Sequence, residues 1–166
     1  MAPLHAGEAM PMTELRVPTV ALGAEVLCAD GRSLRGRIFV PMTAARHTGP
    51  TRPEEWMNDA APFFPFLPDG AEYPVILNKR AVVALAVPAE ADRGELADDD
   101  VGTRRVSVET ADRRFDGTLV IDMPEGRNRV LDLLNRPDFF IALREGDRHR
   151  LIQKRWIVQV VERRED

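Results

Sequence analysis

The 166-residue chain has one cysteine, so no disulfide can form within it. No apolar run approaches the roughly 20 residues that a membrane helix needs. The opening residues, Met1 to Pro11, lack the basic segment and continuous apolar stretch of a secretory signal, so a bacterial-style cytoplasm is the expected compartment. The histidines, His5, His47 and His149, fall on a tail, a loop and a strand start without ligand spacing. They are expected to face solvent, and no metal or cofactor is expected. There is no glycine-rich phosphate loop either, because Gly31 and Gly36 are accounted for by a hairpin. Cys28 alternates with Val26 on the first strand, which makes it a small core residue rather than a nucleophile. Catalysis is therefore not expected.

Charge excludes less. Residues 1–100 carry 9 Lys/Arg against 15 Asp/Glu (−6), and residues 101–166 carry 14 against 12 (+2). Neither half reads as a general nucleic-acid surface. The opposite signs would favour head-to-tail self-association.

What the chain does contain is one module written twice. Ile76-Leu-Asn-Lys-Arg-Ala-Val-Val-Ala-Leu-Ala86 and Leu151-Ile-Gln-Lys-Arg-Trp-Ile-Val-Gln-Val-Val161 share an apolar pair, an amide, Lys-Arg and a strand-like run. Upstream, Glu25 to Ala29, the turn Asp30-Gly31 and Leu34 to Val40 predict a hairpin, since both turn residues tolerate positive φ. The same hairpin recurs as Arg105 to Thr110, a turn at 111–113, and Phe115 to Ile121. Gly36 and Gly117 fall at matching places and predict a bulge or sharp bend.

A short helix follows each hairpin. Arg52-Pro-Glu-Glu-Trp-Met-Asn58 and Arg129-Val-Leu-Asp-Leu-Leu-Asn135 both fit Arg-x-x-acid-x-x-Asn. Thr51 reads as an N-cap, Pro53 suits the first turn, and a terminal Asn suits a left-handed helix end. Phe63-Phe64 and Phe139-Phe140 then align as the start of a third strand. Each copy is thus two strands, a short helix and three more strands.

The predicted fold is mainly β: two tandem small five-stranded barrel-like modules, each with one short helix between its second and third strands. Residues 1–20, with three prolines and three methionines, read as a flexible arm. The first module spans 21–88, an acidic linker 89–102 and the second module 103–166. Asp98-Asp99-Asp100 reads as a solvated charge run rather than a cation site.

The second copy, through Arg129-x-x-Asp132-x-Leu134-Asn135, Phe140-x-x-Leu143 and Lys154-x-x-Ile157, resembles a module of uncharacterised bacterial proteins. The first copy matches more loosely, with Glu55 for Asp and Met57 for Leu. That resemblance implies no assigned activity. Strand count and the Lys-Arg turns also resemble Sm-like small barrels, in which the basic turn contacts RNA and the barrels assemble into rings. In those barrels the helix precedes the first strand, so here the likeness implies architecture alone.

Two surfaces could carry function. Arg129, Asp132 and Asn135 share one face of their helix, as do Arg52, Glu55 and Asn58. They could meet a partner, or be an intrahelical ion pair and a C-cap. The aromatic stretch Trp56, Phe63, Phe64 and Phe66 is mostly core by composition. Pro62, Pro65 and Pro68 oppose a regular central strand, so part of it could be an exposed edge. Lys79, Arg80, Lys154 and Arg155 could instead hold a nucleotide or RNA, or be solvated turns. The function these features predict is a non-enzymatic binding or scaffolding protein acting through protein–protein contacts, self-associating; the alternative is a small-barrel nucleotide or RNA binder.

Overall fold

Alternation of apolar and polar residues becomes strand over about half of the described residues. The computed structural model describes residues 17–92, 102–124, 126 and 129–164. The strands are β1 Thr19–Cys28, β2 Ser33–Pro41, β3 Phe63–Pro68, β4 Val75–Asn78, β5 Val82–Pro88, β6 Gly102–Thr110, β7 Arg114–Ile121, β8 Phe140–Glu145, β9 Arg148–Gln153 and β10 Ile157–Glu162. Among the described residues the helices are α1 Pro53–Met57, α2 Ala89–Asp92 and α3 Val130–Leu134. Each Lys-Arg turn is a single 3-10 turn, Lys79–Ala81 and Lys154–Trp156.

The duplicated pattern produces a duplicated connectivity inside one sheet. All ten strands form a single antiparallel sheet in the order β10-β6-β7-β8-β9-β5-β1-β2-β3-β4. Within each half the first strand lies between the fifth and the second, with the third and fourth beyond. The halves join where β9 runs beside β5, through Ala84↔Ile152, Leu85↔Leu151 and on to Pro88↔Arg148. The sheet is open, with β10 and β4 as its outer strands. The two halves are thus one continuous sheet, because β5 uses one edge for β1 and the other for β9.

Packing follows the same logic. One apolar cluster centres on Val26, Ile38, Met57, Phe66 and Leu85 of the first half but also takes in Phe140 and Leu151 of the second. The other centres on Val108, Leu119, Leu143 and Ile152 and takes in Leu27, Val83 and Ala84 of the first. Burying a side chain such as Phe140 or Leu151 contributes about 1.5–3 kcal/mol, so each half supplies part of the other's core. Cys28 lies in the first cluster, as its alternation with Val26 requires, and burial raises its thiol pKa.

Several local expectations change. β1 begins at Thr19, inside the expected arm, whereas residues 1–16 lie outside the described residues. The first four linker residues form α2, with Asp92 buried; Asp98 to Asp100 lie outside the described residues. The phenylalanine alignment shifts by one. Phe63 faces Asn78 and Phe140 faces Gln153, so Phe63 matches Phe140 and Phe64 matches Ile141.

The two strand glycines serve close approach. A Cβ on Gly36 would overlap the carbonyl oxygen of Leu67, and one on Gly117 that of Arg144. Here the third strand of each half crosses onto the second. The hairpin turn falls where expected, with Gly31 at φ +88, but Asp30 keeps a negative φ.

Candidate functional site

The first copy of the recurring Arg-x-x-acid-x-x-Asn helix, α1, touches the second half of the chain, whereas α3 packs on β7 of its own half. α1 starts at an extended Arg52 with Pro53 in its first turn, and Glu55 reaches back to accept from the backbone N–H of Arg52 at 3.3 Å. Asp132 does the same for Arg129 at 3.3 Å. These contacts satisfy a backbone donor that the helix start would otherwise leave unmade. The expected Arg–acid side-chain pair is absent from both helices among the described residues, because each carboxylate is engaged by the backbone. Thr51 is not the N-cap; its hydroxyl donates to the Thr43 carbonyl at 3.2 Å.

Neither terminal asparagine is left-handed: Asn58 has φ −90 and Asn135 φ −86. Asn58 works through its side chain instead. Its Oδ1 accepts from the Phe140 backbone N–H at 2.8 Å and its Nδ2 donates to the Phe140 carbonyl at 3.3 Å. The amide thereby imitates a neighbouring strand and clamps the start of β8 onto α1. Asn135 is exposed, and its side chain has no partner among the described residues.

Beside this clamp lies a cleft of about 350 Å³, lined by Arg52, Glu54, Asp92, Arg136, Asp138 and His149 among others. Asp92 Oδ1 accepts from the Glu54 backbone N–H at 3.0 Å, and Asp92 Oδ2 pairs with His149 Nδ1 at 3.1 Å. Both side chains are buried. His149 is thus a buried partner rather than solvent-facing, since β9 turns it inward on the same face as Leu151. His47 is also engaged, with Nε2 2.9 Å from Glu55, and His5 lies outside the described residues.

Burial, reinforced by the negative charges of Asp92 and Asp138, pushes the Glu54 carboxyl up to about 7 from its ordinary 4.5. The fold is therefore most favoured with Glu54 protonated. This contribution is complete below pH 4.5 and is lost as pH rises through about 7. Because Glu54 sits in the cleft yet keeps contact with solvent, the loss is on the order of 1 kcal/mol, or ~2–4 °C in Tm. Glu54→Gln is expected to raise Tm by that margin at pH 8 and to leave it unchanged at pH 4.5. Thermal unfolding at the two pH values checks this; equal shifts at both would refute it.

The two Lys-Arg turns lie side by side, Trp156 Nε1 donating to the Arg80 carbonyl at 3.2 Å, and their lysines are engaged within the fold. Lys79 is buried, donating to the Trp56 carbonyl and to Asp59 Oδ1, each at 2.7 Å. Lys154 donates to the Arg136 carbonyl at 2.6 Å, and burial lowers its pKa. Arg80 and Arg155 are exposed, Arg155 lying over the Trp156 ring. Both lysines tie their 3-10 turn to the segment after a helix, a use that the expected solvated turn or anion site leaves out.

The aromatic stretch divides in the same manner. Trp56, Phe64 and Phe66 are core residues and cannot form a surface, whereas Phe63 is exposed. Sequence reasoning missed Glu54, Asp92 and His149. Alternation of His149 with Leu151 and Gln153 could have flagged the histidine, but nothing in the acidic run around Asp92 distinguishes the one carboxylate that is buried. Among the described residues no group of His, Cys, Asp and Glu could hold a metal ion, and no helix is long and apolar enough to cross a membrane.

Compared with known proteins, the chain matches no family model, no curated protein and no solved structure.

Proposed function

We propose that this is a non-enzymatic binding or scaffolding protein that acts through protein–protein contacts in the cytoplasm, and that its first partner is itself. In this reading the halves are two tandem barrel-like modules, related as the repeated sequence suggests. One observation carries it: among the described residues both end strands of the sheet leave one edge without a strand partner, and both carry exposed apolar side chains. Val75 and Ile76 lie on β4, Phe63 on the neighbouring β3, and Val158 and Val161 on β10. Open apolar strand edges are pairing surfaces that monomeric proteins avoid. Arg129, Asp132 and Asn135 of α3 complete the proposed contact surface.

The test is size-exclusion chromatography with multi-angle light scattering across a hundredfold concentration range, recording the 260/280 nm absorbance ratio. Oligomers free of nucleic acid that persist between 50 and about 500 mM salt are expected. A monomer that co-elutes with nucleic acid and releases it as salt rises would overturn the reading in favour of RNA contact through Arg80 and Arg155.

A further inference from the structure

We infer that a second copy of the chain docks through a repeat of the joint that already unites the two halves. In this joint β10 of one copy lies antiparallel on β4 of the next, and Asn135 of the first clamps the Phe63 backbone of the second. The inference rests on the self-association reading and specifies its surface.

Equivalent positions follow from the strand registers. β5 meets β1 at Cys28↔Val82 and slips by one residue before Ala84, and β10 meets β6 at Thr110↔Ile157 and slips by one before Gln159. Hence Ala84, Leu85 and Ala86 correspond to Gln159, Val160 and Val161. On the other side, the shared pairings of β3 with β4 and β8 with β9 make Leu77, Ile76 and Val75 the counterparts of Ile152, Leu151 and Arg150. The internal pairs Ala84↔Ile152, Leu85↔Leu151 and Ala86↔Arg150 therefore translate into Gln159↔Leu77, Val160↔Ile76 and Val161↔Val75 between copies.

Exposure shows which half of each matched pair lacks its cover. Phe140, clamped by Asn58, is 1% exposed, and its counterpart Phe63 is 55% exposed. Leu151 is 0% exposed against 65% for Ile76, and Val83 is 7% against 70% for Val158. Each exposed residue sits where the internal joint buries its equivalent. The clamp is ready in the same sense: Asn135 ends α3 with the backbone geometry that Asn58 has at the end of α1, and no side chain among the described residues bonds to the Phe63 backbone. The edge strands also belong to halves of opposite net charge, −6 and +2.

The outer joint is the weaker one. Leu27 and Ala84, which help bury the inner joint, are replaced by Glu109 and Gln159, hydrogen-bonded to each other at 2.6 Å. Pro74 stands where the inner joint has His149. Association is therefore reversible and concentration-dependent. Because the two surfaces differ, each added copy presents a fresh edge, so assemblies grow until a ring closes or continue as a chain.

The experiment uses full-length chains carrying Val75→Cys or Val161→Cys, separately and mixed, under mild oxidation, with Asn135→Ala as a second probe. Directly opposed residues of an antiparallel pair lie within disulfide reach, and buried Cys28 is a poor competitor. The mixture is expected to form covalent dimers at least about tenfold above either variant alone. Asn135→Ala, at an exposed position, is expected to weaken association about tenfold, the worth of one or two hydrogen bonds. Oligomers that cross-link through Val161→Cys alone, or not at all in the mixture, would overturn this joint while leaving self-association intact. A protein that stays monomeric at every concentration would overturn both.

Discussion

Asp92→Ala is expected to lower the unfolding free energy by about 2–5 kcal/mol, a large part of the 5–15 kcal/mol typical of a folded chain. The side chain satisfies two separated groups at once, the Glu54 backbone N–H at the start of α1 and Nδ1 of His149 on β9. Truncation leaves the half-buried Glu54 N–H and the buried His149 ring without this acceptor, and a buried hydrogen bond left unmade costs about 1–3 kcal/mol. It also removes the side-chain link from α2 to both α1 and β9. Urea unfolding followed by fluorescence of Trp56 and Trp156, one in each half, reads the loss and tests its nature. A single lowered midpoint at both tryptophans is expected, since the two cores share residues. A change under 0.5 kcal/mol would mean that Asp92 is one more solvated carboxylate of an acidic linker.

Gly36→Ala and Gly117→Ala should each destabilise by about 1–3 kcal/mol or more, the usual range for forcing extra atoms into a packed site. In both cases the neighbour that must give way is a strand carbonyl, of Leu67 or of Arg144. A carbonyl held in a sheet cannot swing aside as a long side chain can. Gly23→Ala is the control, because a Cβ there meets nothing within 4 Å; it should be neutral or slightly stabilising, through the lower entropy of the unfolded chain. Equal effects at the three sites would show that strand propensity, not close approach, accounts for glycine at 36 and 117.

The two expectations differ in how visible they were beforehand. Gly36 and Gly117 stand out because they recur at the same point of a repeated pattern, although sequence alone suggests a bulge or bend rather than a crossing strand. Asp92 has no such marker. Its partners are 38 and 57 residues away, and its surroundings are as acidic as a linker would be.

Lys79 and Phe63 make the same point from the opposite side. A Lys-Arg turn reads as solvated or anion-binding, yet Lys79 is spent on the Trp56 carbonyl and Asp59. Phe63 reads as one of a paired set of aromatics, and only the register with Asn78 separates it from buried Phe64.

Local chemistry determined what depends on neighbours in sequence: the alternating strands, the Asp30-Gly31 turn, the two short helices with Pro53 and their acidic third residues, the core position of Cys28, and the repetition of all of these. Those features follow from backbone preference and apolar period, which act over a few residues. The tertiary structure alone decided that the halves share one open sheet, that Asn58 closes on Phe140 across 82 residues, and that Asp92 and His149 are buried together. Two copies of one pattern can sit apart or side by side with the same local energies. Which arrangement forms depends on whether the edge of β5 finds water or β9, and that choice is made by long-range pairing and burial.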